Sequence, residues 1–153
     1  MRSKLIAESE LGRRYVLVLE GGDELMAEVK SFAERERLRA AEFTGIGAVS
    51  SAKLAAFNPD TREYVHIPDP GQAELVSLNG RITLPDGADP ASPPEERQLH
   101  VHCVLSHEDG STVGGHVFEL VIRPTAEIFV TEGAEHIARG EDPHSGLPVV
   151  LLD

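Results

Sequence analysis

The residue types best suited to chemistry in this chain are histidines, and their spacing is the reason. His100-Val101-His102 is followed by Gly114-Gly115-His116. If residues 99–106 form a strand, His100 and His102 emerge from one face, because strand side chains alternate. Residues 112–122 read as the returning strand of a hairpin. Its turn is Glu108-Asp109-Gly110, a three-residue loop in which the glycine takes the left-handed conformation. Such a loop pairs His107 with Ser111 and, counting back along both strands, sets His116 directly opposite His102. A loop one residue shorter or longer would send His116 to the other face. The apolar residues favour the first register, since Val101, Cys103, Leu105, Val113 and Val117 all share the face away from the histidines.

Three imidazoles within reach of one ion, with a coordination position left open, suit zinc or a similar divalent metal bound through neutral ring nitrogens. The same spacing also fits a polar strand face at a subunit interface. If an ion is held, activation of its bound water becomes available, and that chemistry needs an acid or base nearby. The candidates are Glu74, Glu42 and His66, each weighed against being simply exposed. His107, His136 and His144 read as surface residues. Cys103 neighbours His102 in sequence, but alternation turns its thiol toward the core and away from the imidazoles. Gly45-Ile46-Gly47 lacks the third glycine or the Gly-Lys-Ser/Thr of a phosphate cradle, so the glycines read as a bulge or a close backbone approach. No Gly-X-Ser-X-Gly elbow is present, which sets serine-hydrolase chemistry aside.

The elements that must position these residues follow from periodicity and punctuation. A short apolar run at 15–19 is a buried strand. After Gly21-Gly22-Asp23, residues 24–37 form a helix: Leu25, Val29, Phe32 and Ala33 recur at helical spacing, acids occupy the first turn, and Asp23 is the expected N-cap. Residues 40–44 lead into the glycine pair. Strands at 52–57 and 63–67 are joined by the turn Asn58-Pro59-Asp60-Thr61, and Pro68-Asp69-Pro70-Gly71 makes a further break. Residues 73–84 form a strand in which Gly80 allows a bend. Residues 85–97, rich in proline and acid, form a long mobile surface loop. The histidine hairpin comes next, then a last strand at 126–131. The apolar end, 147–152, packs on its own domain or on a neighbouring subunit. About seven or eight strands and one main flanking helix, mostly joined by short turns, make an α+β domain on a largely antiparallel sheet.

The bulk properties agree with one domain over residues 1–153, with its core at about 15–132 and a tail at 133–153. Hydrophobic residues make up 41% of the chain, but there is no tryptophan, so aliphatic side chains must carry the packing. The net charge is −12, from 26 acids against 14 bases. A surface that acidic repels nucleic-acid phosphates and anionic membranes. The basic cluster Arg35, Arg37 and Arg39 is interrupted by Glu36. A single cysteine excludes an intramolecular disulfide. No apolar run reaches the length of about 20 residues that spans a bilayer, and the N-terminal residues lack a signal-like stretch, so the expected location is the cytoplasm.

Several segments together resemble the plants-and-prokaryotes-conserved (PPC) domain. They are Gly45-Ile46-Gly47-Ala48-Val49-Ser50, the run from Ala55-Ala56-Phe57-Asn58 to Arg62-Glu63-Tyr64, Glu74-Leu75-Val76-Ser77-Leu78-Asn79-Gly80, His100-Val101-His102, and Gly114-Gly115-His116. The resemblance implies a mixed sheet flanked by helix, a homotrimer, and in bacterial and archaeal members a three-histidine metal site at His100, His102 and His116. Plant members carry Arg-Gly-Arg-Pro hooks that enter the DNA minor groove, and this chain has none. Ala55-Ala56 also stands where a glycine–aromatic pair is more usual.

Three functions compete. The first is a trimeric metal-binding protein, with zinc the preferred ion and a small molecule or partner at the open position. The second is a metal-dependent hydrolase or lyase acting on a small molecule, with Glu74 its leading acid–base candidate. The third is a DNA-associated regulator, which the net charge and the missing hook disfavour as a direct binder of nucleic acid.

Overall fold

The computed structural model describes residues 1–89 and 97–152. Among them are nine strands and one helix: β1 Arg2–Ser9, β2 Gly12–Glu20, α1 Leu25–Arg35, β3 Ala41–Asn58, β4 Glu63–Ile67, β5 Ala73–Pro85, β6 Gln98–Ser106, β7 Thr112–Glu132, β8 Ala138–Glu141 and β9 Pro148–Val150. The main path of the sheet runs β1-β2-β7-β3-β5-β8-β9, with β4 on β3 and β6 bonded to both β5 and β7. Every pairing is antiparallel except β5 with β8. The expected α+β class with a mixed, largely antiparallel sheet is what the chain adopts.

The strand count exceeds the expected seven or eight, and two long strands replace four short ones. Residues 41–44 and 52–57 belong to the single strand β3, and 112–122 and 126–131 to β7. The glycine pair and Pro124 read as breaks, but irregular register absorbs them. The pairing of β3 with β5 slips between Gly45 and Gly47, and that of β3 with β7 slips at three places. The Arg123–Pro124 bond is cis. A Cβ on Gly47 would stand 2.5 Å from Ala126 Cα, so the backbones approach as closely as the glycines suggested. Bulges bend strands and increase twist, and the bent β3 and β7 change partners along their length. As a result β3, β5, β6 and β7 close a circuit in which each bonds to two of the others.

The core lies on one side of this circuit. Leu75, Leu78, Ile82, Val101, Leu105, Leu120 and Ile128 are buried there. Leu25, Val29, Phe32 and Ala33 of α1 join the same cluster with no exposure, as their helical spacing predicts. Each of these side chains larger than alanine contributes about 1.5–3 kcal/mol on burial. The N-cap is Glu24 rather than the expected Asp23: its carboxylate accepts from the amides of Met26 at 3.0 Å and Ala27 at 2.7 Å. Asp23 instead accepts from the Glu20 amide and pairs with the terminal ammonium of Met1. Gly80 leaves room for an aromatic ring. The Phe43 ring lies against it, where a Cβ would come within 2.0 Å of the ring.

Strand β1 was not expected, because its eight side chains are all exposed and carry no in–out alternation. It extends the sheet through backbone bonds to β2. The tail forms the β8–β9 hairpin, and β8 lies parallel to the end of β5, pairing Leu84 with Ala138 and Pro85 with Arg139. The hairpin thus joins its own sheet, while Pro148, Val149, Val150 and Leu152 of the apolar end stay exposed. The middle of the irregular stretch expected at 85–97 lies outside the described residues. Among the described residues, no helix is long and apolar enough to cross a membrane.

Candidate metal centre

The β6–β7 hairpin adopts the register read from the sequence. His107 donates its amide to the Ser111 carbonyl at 2.9 Å, Asp109 accepts from the amide and hydroxyl of Ser111, and Gly110 has φ +80°. His102 then stands opposite His116, and Cys103 opposite Gly115. Val101, Cys103, Leu105 and Val117 are buried on the far face, with Val113 packed against them. Burial pushes the Cys103 thiol up to about 11 and keeps it protonated.

On the outer face, one ring nitrogen from each of His100, His102 and His116 lies within 4.8 Å of the others. The Nε2 atoms of His100 and His102 are 3.2 Å apart. Two nitrogens on a tetrahedral zinc, at bond lengths of about 2.0–2.1 Å, stand about 3.3 Å apart. His116 Nδ1 is buried and has no hydrogen-bond partner among the described residues. The donor set suits a divalent ion: all three groups are metal ligands, the His100–His102 pair stands at the spacing of a filled site, and His116 has a buried nitrogen with no other partner among the described residues.

Electrostatics favour the ligating form. Burial, then the positive charge of Arg139, then the neighbouring imidazoles and Arg81, hold His100 down to about 4. Burial, His102 and Arg139 likewise lower His116. Both rings are neutral at neutral pH, and neutral imidazole is what binds metal. Aromatic rings wall the cluster. Tyr64 lies 5.0 Å from the His116 ring and Phe118 lies 5.0 Å from it on a T-shaped contact.

A cavity of about 410 Å³ opens beside the cluster, lined by His100, His116, Tyr64, Leu99, Arg139 and Pro148 among others. The C-terminal hairpin supplies its outer wall. Arg139 Nη2 donates to the Pro148 carbonyl, closing the hairpin on itself. Arg62, in the β3–β4 turn, donates to the His144 carbonyl at 2.9 Å and holds the hairpin loop.

The carboxylates named from sequence do not join the three histidines. Glu74 pairs with Ser106, four residues along β6 from His102, or about 13 Å at the strand rise. Glu42 lies one strand beyond Arg81, which faces His100 in register, and makes an exposed ion pair with Arg81 at 3.8 Å. His66 is exposed on β4, and its nearest ring contact is Phe118 at 5.8 Å. His136 and His144 are exposed, and His107 is half-buried at the base of the turn. Tyr64, Phe118 and Arg139 were not singled out as site residues. Tyr64 stands in a segment that carries the family resemblance. Arg139 lies in a polar tail without periodicity, and only the folded hairpin brings it to the cluster.

Comparisons with known proteins bear on this geometry. The model of the Plants and Prokaryotes Conserved domain matches residues 6–134. A metal-containing protein of Archaeoglobus fulgidus has a similar structure, with TM-score 0.81 and 29% identity over 96% of this chain and 99% of that one. A plant- and prokaryote-conserved protein of Pyrococcus horikoshii matches with TM-score 0.80 and 33% identity over 94% of each chain. A Bacteroides thetaiotaomicron protein, provisionally described as DNA-binding, shares the fold with TM-score 0.80 at 23% identity, over 97% of this chain and 96% of that one. No curated protein matches the sequence.

Proposed function

We propose that this chain, which belongs to the Plants and Prokaryotes Conserved domain family, is a trimeric metal-binding protein. Its ion is held by His100, His102 and His116, with one coordination position open to a small molecule. The observation that carries the reading is the convergence of three imidazoles, two of them 3.2 Å apart, on the outer face of one hairpin. The metal-containing relative from Archaeoglobus fulgidus supports it. Zinc is the ion proposed, since three imidazoles and an open position match its preferred chemistry.

A bound divalent ion supplies Lewis acidity at its open position. The protein's own residues supply the rest. The hairpin register orients the rings, burial and Arg139 keep His100 neutral, and Tyr64 and Phe118 pack against the His116 ring. The trimer comes from the family resemblance. Exposed Ile46, Val76 and Phe129 on β3, β5 and β7 support an assembly, because they give the sheet apolar surface to cover.

Metal-dependent catalysis on a small molecule is the second reading, favoured by the cavity beside the histidines. Glu74 and Glu42 stand away from the cluster, so neither is the acid or base of such an enzyme within one subunit. A direct role on DNA is disfavoured by the net charge of −12.

Metal content per chain, measured on untagged wild type and His102→Ala, tests the reading. About one ion per chain in wild type, lost in the variant, is expected. Wild type without metal after reconstitution, or a variant that keeps full occupancy, overturns it. Light scattering at micromolar concentration tests the assembly: a species of only 16.5 kDa would rule out the trimer.

A further inference from the structure

The cavity between the histidines and the C-terminal hairpin has a chemical bias that metal ligation alone does not require. Its volume, about 410 Å³, is in the range that holds small molecules. Leu99, Leu147 and Pro148 give it an apolar wall, and Arg139 gives it a cation. In a chain with nearly two acids for every base, Arg139 has no carboxylate within ion-pair distance among the described residues. One end of its guanidinium is committed, because Nη2 donates to the Pro148 carbonyl. Its Nε–H is buried and has no hydrogen-bond partner among the described residues. A buried cationic donor left unsatisfied is costly, and a ligand that brings an anionic acceptor removes the cost. Arg81, opposite His100, is by contrast paired with Glu42, which leaves Arg139 as the cation of the cavity.

We propose that this cavity binds a small organic acid: the carboxylate pairs with the guanidinium of Arg139, the hydrocarbon body lies on Leu99, Leu147 and Pro148, and an oxygen fills the open position of the ion held by the histidines. The inference deepens the metal reading and rests on it. A carboxylate fits better than a phosphate ester, because one guanidinium with one end engaged and an apolar wall offer too few donors for a phosphate. Arg139 would bind and orient the acid, and a ligand so placed is held by charge-assisted hydrogen bonding.

The test uses cobalt(II), whose visible absorption reports its coordination, with butyrate as the probe and butanamide as the uncharged control. Cobalt content is measured first in wild type, Arg139→Gln and Arg139→Lys. Butyrate should shift the cobalt spectrum of wild type and butanamide should not. Arg139→Gln should weaken butyrate binding about ten- to a hundredfold at unchanged cobalt content. Equal butyrate affinity in wild type and Arg139→Gln, or no spectral response to butyrate in a cobalt-loaded wild type, overturns this inference and leaves the metal reading standing. A wild type that takes up no cobalt overturns both. If Arg139→Gln loses its fold or its cobalt, Arg139→Lys decides: it must keep butyrate affinity within about tenfold of wild type and reject butanamide, or the proposal fails.

Discussion

Acid should destabilise the metal-free protein along a slope that His100 helps to set. The folded chain holds this imidazole neutral down to about pH 4, because burial and Arg139 oppose its charge. The unfolded chain takes up a proton near pH 6.5. Between those values unfolding is accompanied by proton uptake, so stability falls as the pH falls. The contribution is nil above the unfolded value and complete below about pH 4. At about 1.4 kcal/mol for each tenfold change in proton affinity, the full difference is worth about 2.5 kcal/mol at pH 4.5. Partial exposure of the ring to solvent reduces this to about 1–2 kcal/mol. The perturbation is His100→Gln, a neutral side chain that keeps a hydrogen-bonding group. Urea unfolding of chelator-treated wild type and variant at pH 7.5 and 4.5 provides the assay. The 26 acids impose a pH dependence of their own on both proteins, so the informative quantity is the difference between the two losses. Wild type should lose about 1–2 kcal/mol more than His100→Gln over that interval. Equal losses would refute the reasoning, and with it the claim that burial and Arg139 keep the ring uncharged.

Other changes test the frame that holds the site. Gly80→Ala should cost about 1–3 kcal/mol by driving a methyl into the Phe43 ring, read as a lower urea midpoint with unchanged slope. Glu24→Ala should cost about 1–2 kcal/mol, since it removes the helix cap and also the acceptor of the Leu120 amide; a midpoint equal to wild type would remove Glu24 from that role. Cys103, buried and raised to about 11, should resist a thiol-specific reagent at pH 8 in the native protein and react once urea unfolds it.

The histidine cluster was legible because a hairpin is a local object. Turn chemistry at Glu108-Asp109-Gly110 fixes the register, and register with alternation decides which side chains share a face. The helix was legible for a similar reason, although its cap lies one residue later than expected, because Glu24 reaches two helix amides while Asp23 serves the N-terminus. What was not legible is long-range. Strand β1 pairs by backbone alone and shows no burial pattern. The fusion of short strands into β3 and β7 depends on bulges, which sequence punctuation mimics as breaks. Arg139 reaches the cluster only because β8 runs beside the end of β5, a parallel pairing with no local signature.

The attachment of the C-terminal hairpin has a kinetic consequence. It joins the sheet through the pairing of Leu84 with Ala138 and of Pro85 with Arg139, whereas β3 and β7 are laced together over most of their length. Cooperative units of a protein open at different free energies, and a short ladder opens well before a long one. The hairpin is thus the unit that can peel away while the four-stranded circuit and its histidines stay folded. Amide hydrogens of residues 138–150 should exchange with solvent far sooner than those of β7. Because Arg139 rides on that unit, each detachment of the hairpin carries the guanidinium away from the three histidines.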